Sequence, residues 1–155
     1  MSFKQFCLFV SMLVLFSCSE TGLYEKVVFM PQNKWSYSNR PSFNFEIKDT
    51  SSNYLVYFIF RHADAYEYNN IWIKLNSTLP GDTVSRSERF DVTLAANSRW
   101  LGTGMDDIYD HRVLLYREPV KFFKPGSYTI SIEQNMRVES LDHVFNVGLR
   151  LEKVK

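Results

Sequence analysis

Apolar and polar residues alternate with a period of two along most of the chain. Phe43, Phe45 and Ile47 are separated by Asn44 and Glu46, and Ile71, Ile73 and Leu75 by Trp72 and Lys74. Tyr128, Ile130 and Ile132 alternate with Thr129, Ser131 and Glu133. Phe145, Val147, Leu149 and Leu151 alternate with Asn146, Gly148, Arg150 and Glu152. Side chains of a strand point to opposite faces in turn, so each run predicts a strand with one apolar face. Tyr54 to Phe60 reads Tyr-Leu-Val-Tyr-Phe-Ile-Phe, apolar on both faces, and predicts a central strand covered twice. Shorter strands are expected at Tyr24–Met30, Val84–Leu94 and Val113–Tyr116. Pro80-Gly81-Asp82 and Lys124-Pro125-Gly126-Ser127 carry turn chemistry, and Asp49 to Asn53 is a polar loop between strong strands. No segment keeps a helical apolar stripe over three turns. About eight strands between turns predict an all-β fold, a β-sandwich of Ig-like or jelly-roll type, with a barrel as the alternative.

The first eighteen residues follow a different rule. Lys4 precedes an uncharged apolar run from Phe6 to Phe16, and small residues arrive at Ser17, Cys18 and Ser19. That is the layout of a secretory signal. The run has eleven residues, whereas a helix needs about twenty to span a bilayer. A cleaved signal peptide is therefore expected at 1–17. Leu15-Phe16-Ser17-Cys18 resembles a bacterial lipobox, in which the thiol after the cleavage site receives the lipid; Phe16 fits the looser form found in Bacteroidetes. Cys18 is thus the expected lipidation site. Residues 18–22 form a short polar tether, and 23–155 a single β domain.

Composition narrows the partners. The chain has 155 residues, a net charge of +1 and 16% aromatics, with thirteen Phe and nine Tyr. A balanced charge lacks the basic field that dominates nucleic-acid affinity, so no nucleic acid is expected. The two cysteines are Cys7, inside the signal, and Cys18. Once Cys18 is acylated no disulfide can form and no thiol is left for catalysis. A multiply acylated cysteine anchors firmly, since each buried methylene contributes about 0.8 kcal/mol. Only Glu20 is acidic directly after Cys18. The expected location is the cell envelope, lipid-anchored at the outer membrane and facing the periplasm.

One stretch is unusual for a strand protein: Arg99-Trp100-Leu101-Gly102-Thr103-Gly104-Met105-Asp106-Asp107-Ile108-Tyr109-Asp110-His111. Together with Leu23-Tyr24-Glu25-Lys26, Gln134-Asn135-Met136-Arg137, Asn146 to Lys153 and the lipobox, it resembles the gliding motility lipoprotein GldH family of Bacteroidetes. The resemblance covers essentially the whole mature chain. Asp106 stands where a glycine is more familiar, and Asn146 where an aspartate is. The resemblance implies a non-enzymatic envelope lipoprotein needed for gliding, associated with the gliding and type IX secretion machinery. It assigns no catalytic residue and no cofactor.

The residues themselves offer few chemical sites. Asp106, Asp107 and Asp110 beside His111 are the compact set of candidate metal ligands. Their spacing lacks the alternation of calcium loops, and Asp suits turns, so no metal is expected. Gly102-Thr103-Gly104 lacks the third glycine and the lysine of a phosphate loop. His62, His111 and His143 are scattered, and no serine sits in a Gly-x-Ser-x-Gly elbow. Any two of the seventeen acids could meet in the fold, so a glycoside-cleaving pair stays open. Trp72, Trp100 and Tyr109 are the candidate interaction surface, Trp72 on a strand face opposite the core. Trp35, Trp72 and Trp100 could alternatively form a sugar-stacking platform, which keeps a glycan- or peptidoglycan-binding module as the second functional reading.

Overall fold

A computed structural model describes residues 24–154. The signal and tether expected at 1–22, and Cys18 with them, lie outside the described residues. The strands are β1 (Tyr24–Phe29), β2 (Lys34–Ser36), β3 (Ser42–Ile47), β4 (Asn53–Ala63), β5 (Asn70–Thr78), β6 (Arg86–Thr93) and β7 (Ala95–Ala96). They continue as β8 (Arg99–Trp100), β9 (Thr103–Met105), β10 (Ile108–Leu114), β11 (Val120–Lys121), β12 (Gly126–Gln134), β13 (Ser140–Asp142) and β14 (Val144–Lys153). Among the described residues the one helical piece is a 3-10 turn, Pro31–Asn33. The fold is all-β.

Two sheets carry most of the chain. The larger runs β1-β14-β4-β10-β9, with β11 continuing the pairing along β4, and the smaller runs β3-β12-β5-β6. Every pairing in both is antiparallel. The first and last strands are neighbours, so the larger sheet cannot be completed until the whole chain is present. Both sheets turn their alternating apolar faces onto one buried cluster. Phe43, Phe45 and Ile47 of β3 meet Tyr54, Val56, Phe58 and Phe60 of β4 in that cluster. Rings link the sheets directly: Tyr24 of β1 lies 5.5 Å from Phe45 of β3, which stacks on Tyr128 of β12 at 5.8 Å. Trp35 is fully buried at 0% exposure, with its indole N–H donating to the Asn39 carbonyl at 2.8 Å.

Several local expectations change. The outward residues of β4, Leu55, Tyr57 and Ile59, are half-buried and have no second layer over them. Phe145 leaves the inward phase because a bulge between Val144 and Asn146 puts two residues opposite Arg61, and Val144 takes the core position instead. The strand expected from Val84 begins only at Arg86; Val84 itself stands 74% exposed in the preceding turn. The unusual stretch from Arg99 to His111 is strand after all: β9 and β10 form a hairpin whose tip is Asp106-Asp107. The turn after Leu79 closes as its residues demand, with the Asp82 N–H donating to the Leu79 carbonyl at 3.0 Å.

Candidate functional site

β4 and β10 build the most unusual chemistry in the molecule. Their register sets Tyr109 opposite His62, Asp110 opposite Arg61 and His111 opposite Phe60. Because faces alternate, His62 and His111 point inward on the diagonal while Arg61 and Asp110 point outward. The inward pair is buried, at 0% and 3% exposure, with the two Nε2 atoms 3.0 Å apart. His62 Nδ1 lies 2.7 Å from the Ala63 carbonyl, an acceptor only, so Nδ1 carries hydrogen. In the neutral pair His111 Nε2–H then donates to His62 Nε2. Burial pushes both imidazoles below their ordinary value. For His111, burial and the neighbouring His62 bring it down to about 4. Charging both imidazoles would set Nε2–H against Nε2–H, which that spacing forbids.

A shell of rings encloses the pair. Trp100 meets His62 edge-on at 4.4 Å, and Tyr109 stacks on it at 5.9 Å. The Trp100 indole N–H donates to Asp64 Oδ1 at 2.7 Å, which pins the β8 end of the loop. Gly102 then passes directly over His111. A Cβ at this position would stand 2.6 Å from the Asp110 carbonyl oxygen and 2.9 Å from the imidazole carbons, so only glycine fits. The segment from Arg99 to Met105 is thereby seated on the histidines.

On the outer side of the same strands lies a groove of about 830 Å³. Its floor includes Ile59 and Arg61, and its sides include Val27 and Phe29 of β1 and Leu101 of the seated loop. Gly148 keeps the floor low, since a Cβ there would come within 2.7 Å of Val27 Cγ1 and 2.8 Å of the Lys26 carbonyl. Phe29 and Leu101 are 72% and 59% exposed. The charges within it are paired: Arg61 grips Asp110 through two bonds of 2.6 and 2.7 Å, and Glu25 accepts from Arg150. The groove thus presents apolar walls around neutralised ion pairs.

The candidate residues separate accordingly. Trp100 and Tyr109 come together, packed on His62 and only partly exposed. Trp72 stands apart on the smaller sheet, 42% exposed, beside Met136. Trp35 lies in the core, so the three tryptophans form no common platform. Asp110 is held by Arg61, whereas Asp106 and Asp107 occupy the hairpin tip, Asp106 at φ 53°. Among the described residues no group of three or more His, Cys, Asp or Glu could hold a metal ion. The histidine pair escaped sequence reasoning, although His62 continues the inward phase of Tyr54, Val56, Phe58 and Phe60. Its partner, 49 residues away, is visible only in the register.

A family model described as GldH lipoprotein matches residues 22–151. The chain belongs to the GldH lipoprotein family. A gliding motility lipoprotein GldH homolog of Christiangramia forsetii is 28% identical, over 94% of this chain and 93% of its own length. Among solved structures, a carbohydrate-binding module specific for non-crystalline cellulose overlaps 84% of this chain and 72% of its own, at 12% identity and a TM-score of 0.45. A likeness that loose carries no argument about ligands. The matched residues include the seated loop, the histidine pair and the groove.

Proposed function

We propose that this family member is a non-enzymatic, lipid-anchored accessory component of bacterial gliding motility. Membership of the GldH lipoprotein family carries the reading, supported by a relative named as a gliding motility lipoprotein over nearly its full length. In this reading residues 1–17 are removed, Cys18 is acylated, 18–22 tether the domain, and 23–155 form one β-sandwich. The protein sits at the outer membrane, faces the periplasm and contacts proteins of the gliding and type IX secretion apparatus. Two sheets over one core support the sandwich, and the open groove beside the seated loop supports contact through the larger sheet. Interfaces draw most of their affinity from a few apolar and aromatic anchors among neutral surroundings. Phe29 and Leu101, flanking paired charges, have that character.

The test is an in-frame deletion in a gliding strain, complemented with the wild type, Cys18→Ala and Phe29→Asp. Lost colony spreading, restored by the wild type but not by Cys18→Ala, is the expected result. Failure of Phe29→Asp at normal protein level assigns the groove. Normal gliding in the deletion would overturn the motility role and bring the envelope-glycan reading forward.

A further inference from the structure

The strand ends divide the molecule into two poles. β1 starts at Tyr24, level with Leu151 and Val56, while Lys121 pairs with Asn53 at the beginning of β4. The loops 48–52, 79–85 and 115–125 and the end of β14 therefore gather where the chain enters the domain. The hairpin tip after Met105 lies at the other pole, level with Ala63.

The poles differ in charge. The entry-pole loops, with residues 153–154, hold five Lys or Arg against three Asp or Glu. Segments 30–41, 64–69, 94–107 and 135–143 at the far pole hold four against six. A net charge of +1 hides this asymmetry. At the entry pole Phe123 is 80% exposed and Val84 74% exposed. Lys121 Nζ lies 5.9 Å from the Phe123 ring centroid, so an ammonium and an aromatic face solvent together. A cleft of about 360 Å³ joins their loops, lined by Phe122 and Phe123 together with Arg86, Glu88, Lys121 and Lys124.

We propose that this pole is a second membrane contact, with Phe123 and Val84 entering the interface of an anionic bilayer, Lys121 meeting its headgroups, and Lys124, whose Nζ lies 3.4 Å from Asp82 Oδ1, beside them. The inference rests on acylation of Cys18. Five residues, 19–23, separate that cysteine from Tyr24, and the six steps between them reach at most about 22 Å at full extension. From Val56 to Ala63 the strand climbs about 23 Å further away, so the tether holds the entry pole, not the far one, against the lipid. Phe side chains beside lysines bury into the headgroup–acyl boundary, and lysines near the surface are drawn to anionic lipid. The acyl chains of Cys18 already hold the protein at the membrane; the second contact fixes the domain's orientation, leaving the groove and seated loop turned away from or along the membrane surface.

The test uses the full-length protein purified from envelopes and returned to vesicles of phosphatidylethanolamine and phosphatidylglycerol with brominated acyl chains. Intact mass first reads whether Cys18 carries its lipid. A fluorophore is then attached at Val84→Cys or, as the control on an equally open far-pole site, at Met105→Cys. Quenching at the first about twofold or more above the second is expected, falling when Phe123→Ser and Lys121→Glu are added. Acylated protein with equal quenching at both sites overturns the second contact and leaves the anchor standing. Unacylated Cys18 overturns the anchor, and the reach argument falls with it.

Discussion

Trp100 and Trp72 both sit in or beside strands at half-exposed positions, yet they have opposite roles. Trp100 covers a buried histidine pair and spends its N–H on Asp64, next to Leu101 in the groove wall. Trp72 lies on the outward face of β5, touching Met136, with no ring in its own row. The difference comes from what crosses each tryptophan. A loop folded back onto two strands converts one indole into structure, whereas a flat strand face leaves the other as surface. Exposure of an aromatic therefore says little about its role until the register around it is known.

That contrast can be broken in graded steps. Trp100→Ala should cost most, about 2–4 kcal/mol, because it opens a cavity over His62 and leaves Asp64 without its donor. Urea titration should show the lower midpoint, and spreading should fail even where the protein still reaches the envelope. Gly102→Ala should cost about 1–3 kcal/mol, since the new methyl meets a backbone oxygen that cannot yield freely. An unchanged melting temperature for this variant would show that the loop is not seated on His111.

Acid should loosen the same corner. In the unfolded chain each imidazole takes a proton near pH 6.5, whereas in the folded pair it does so only lower, for His111 at about 4. Their contribution is complete above about pH 6.5 and is lost as the pH falls through that window toward about 4. Melting temperature should decline over this range in the wild type, and the decline should flatten in His111→Phe. An identical pH profile for both proteins would remove the pair from the acid response. Trp72→Ala should have the smallest effect, about 0.5–1 kcal/mol at most, because its ring is already half in solvent. A larger loss on thermal melting would mean the two tryptophans do not differ as described.

Much of the fold was legible along the chain. β3, β5 and β12 appear with the faces their alternation predicted, because a strand with one buried face leaves a period-two record. Phe145 broke that record through a bulge, which depends on how β14 meets β4 and leaves no local mark. β8 and β9, of two and three residues, are too short to show a period at all. The outer surface of β4 misled for another reason. Ile59 floors the groove, and Leu55 and Tyr57 lie half-buried along the same outward row with no further layer covering them. Of the site, the sequence marked Trp100, Tyr109 and Asp110 but gave no sign that His62 meets His111.

By itself the sequence determined the strand class, the inward residues and the family, since these rest on residue type and spacing within a few positions. It also determined the lipobox-like start, whose proposed chemistry needs no fold. Only the tertiary structure decided the pairing of first and last strands, the histidine contact, the groove and the charge difference between the poles. Each of those joins residues far apart in the chain. Their proximity depends on cross-strand register, which a shift of one residue would turn inside out.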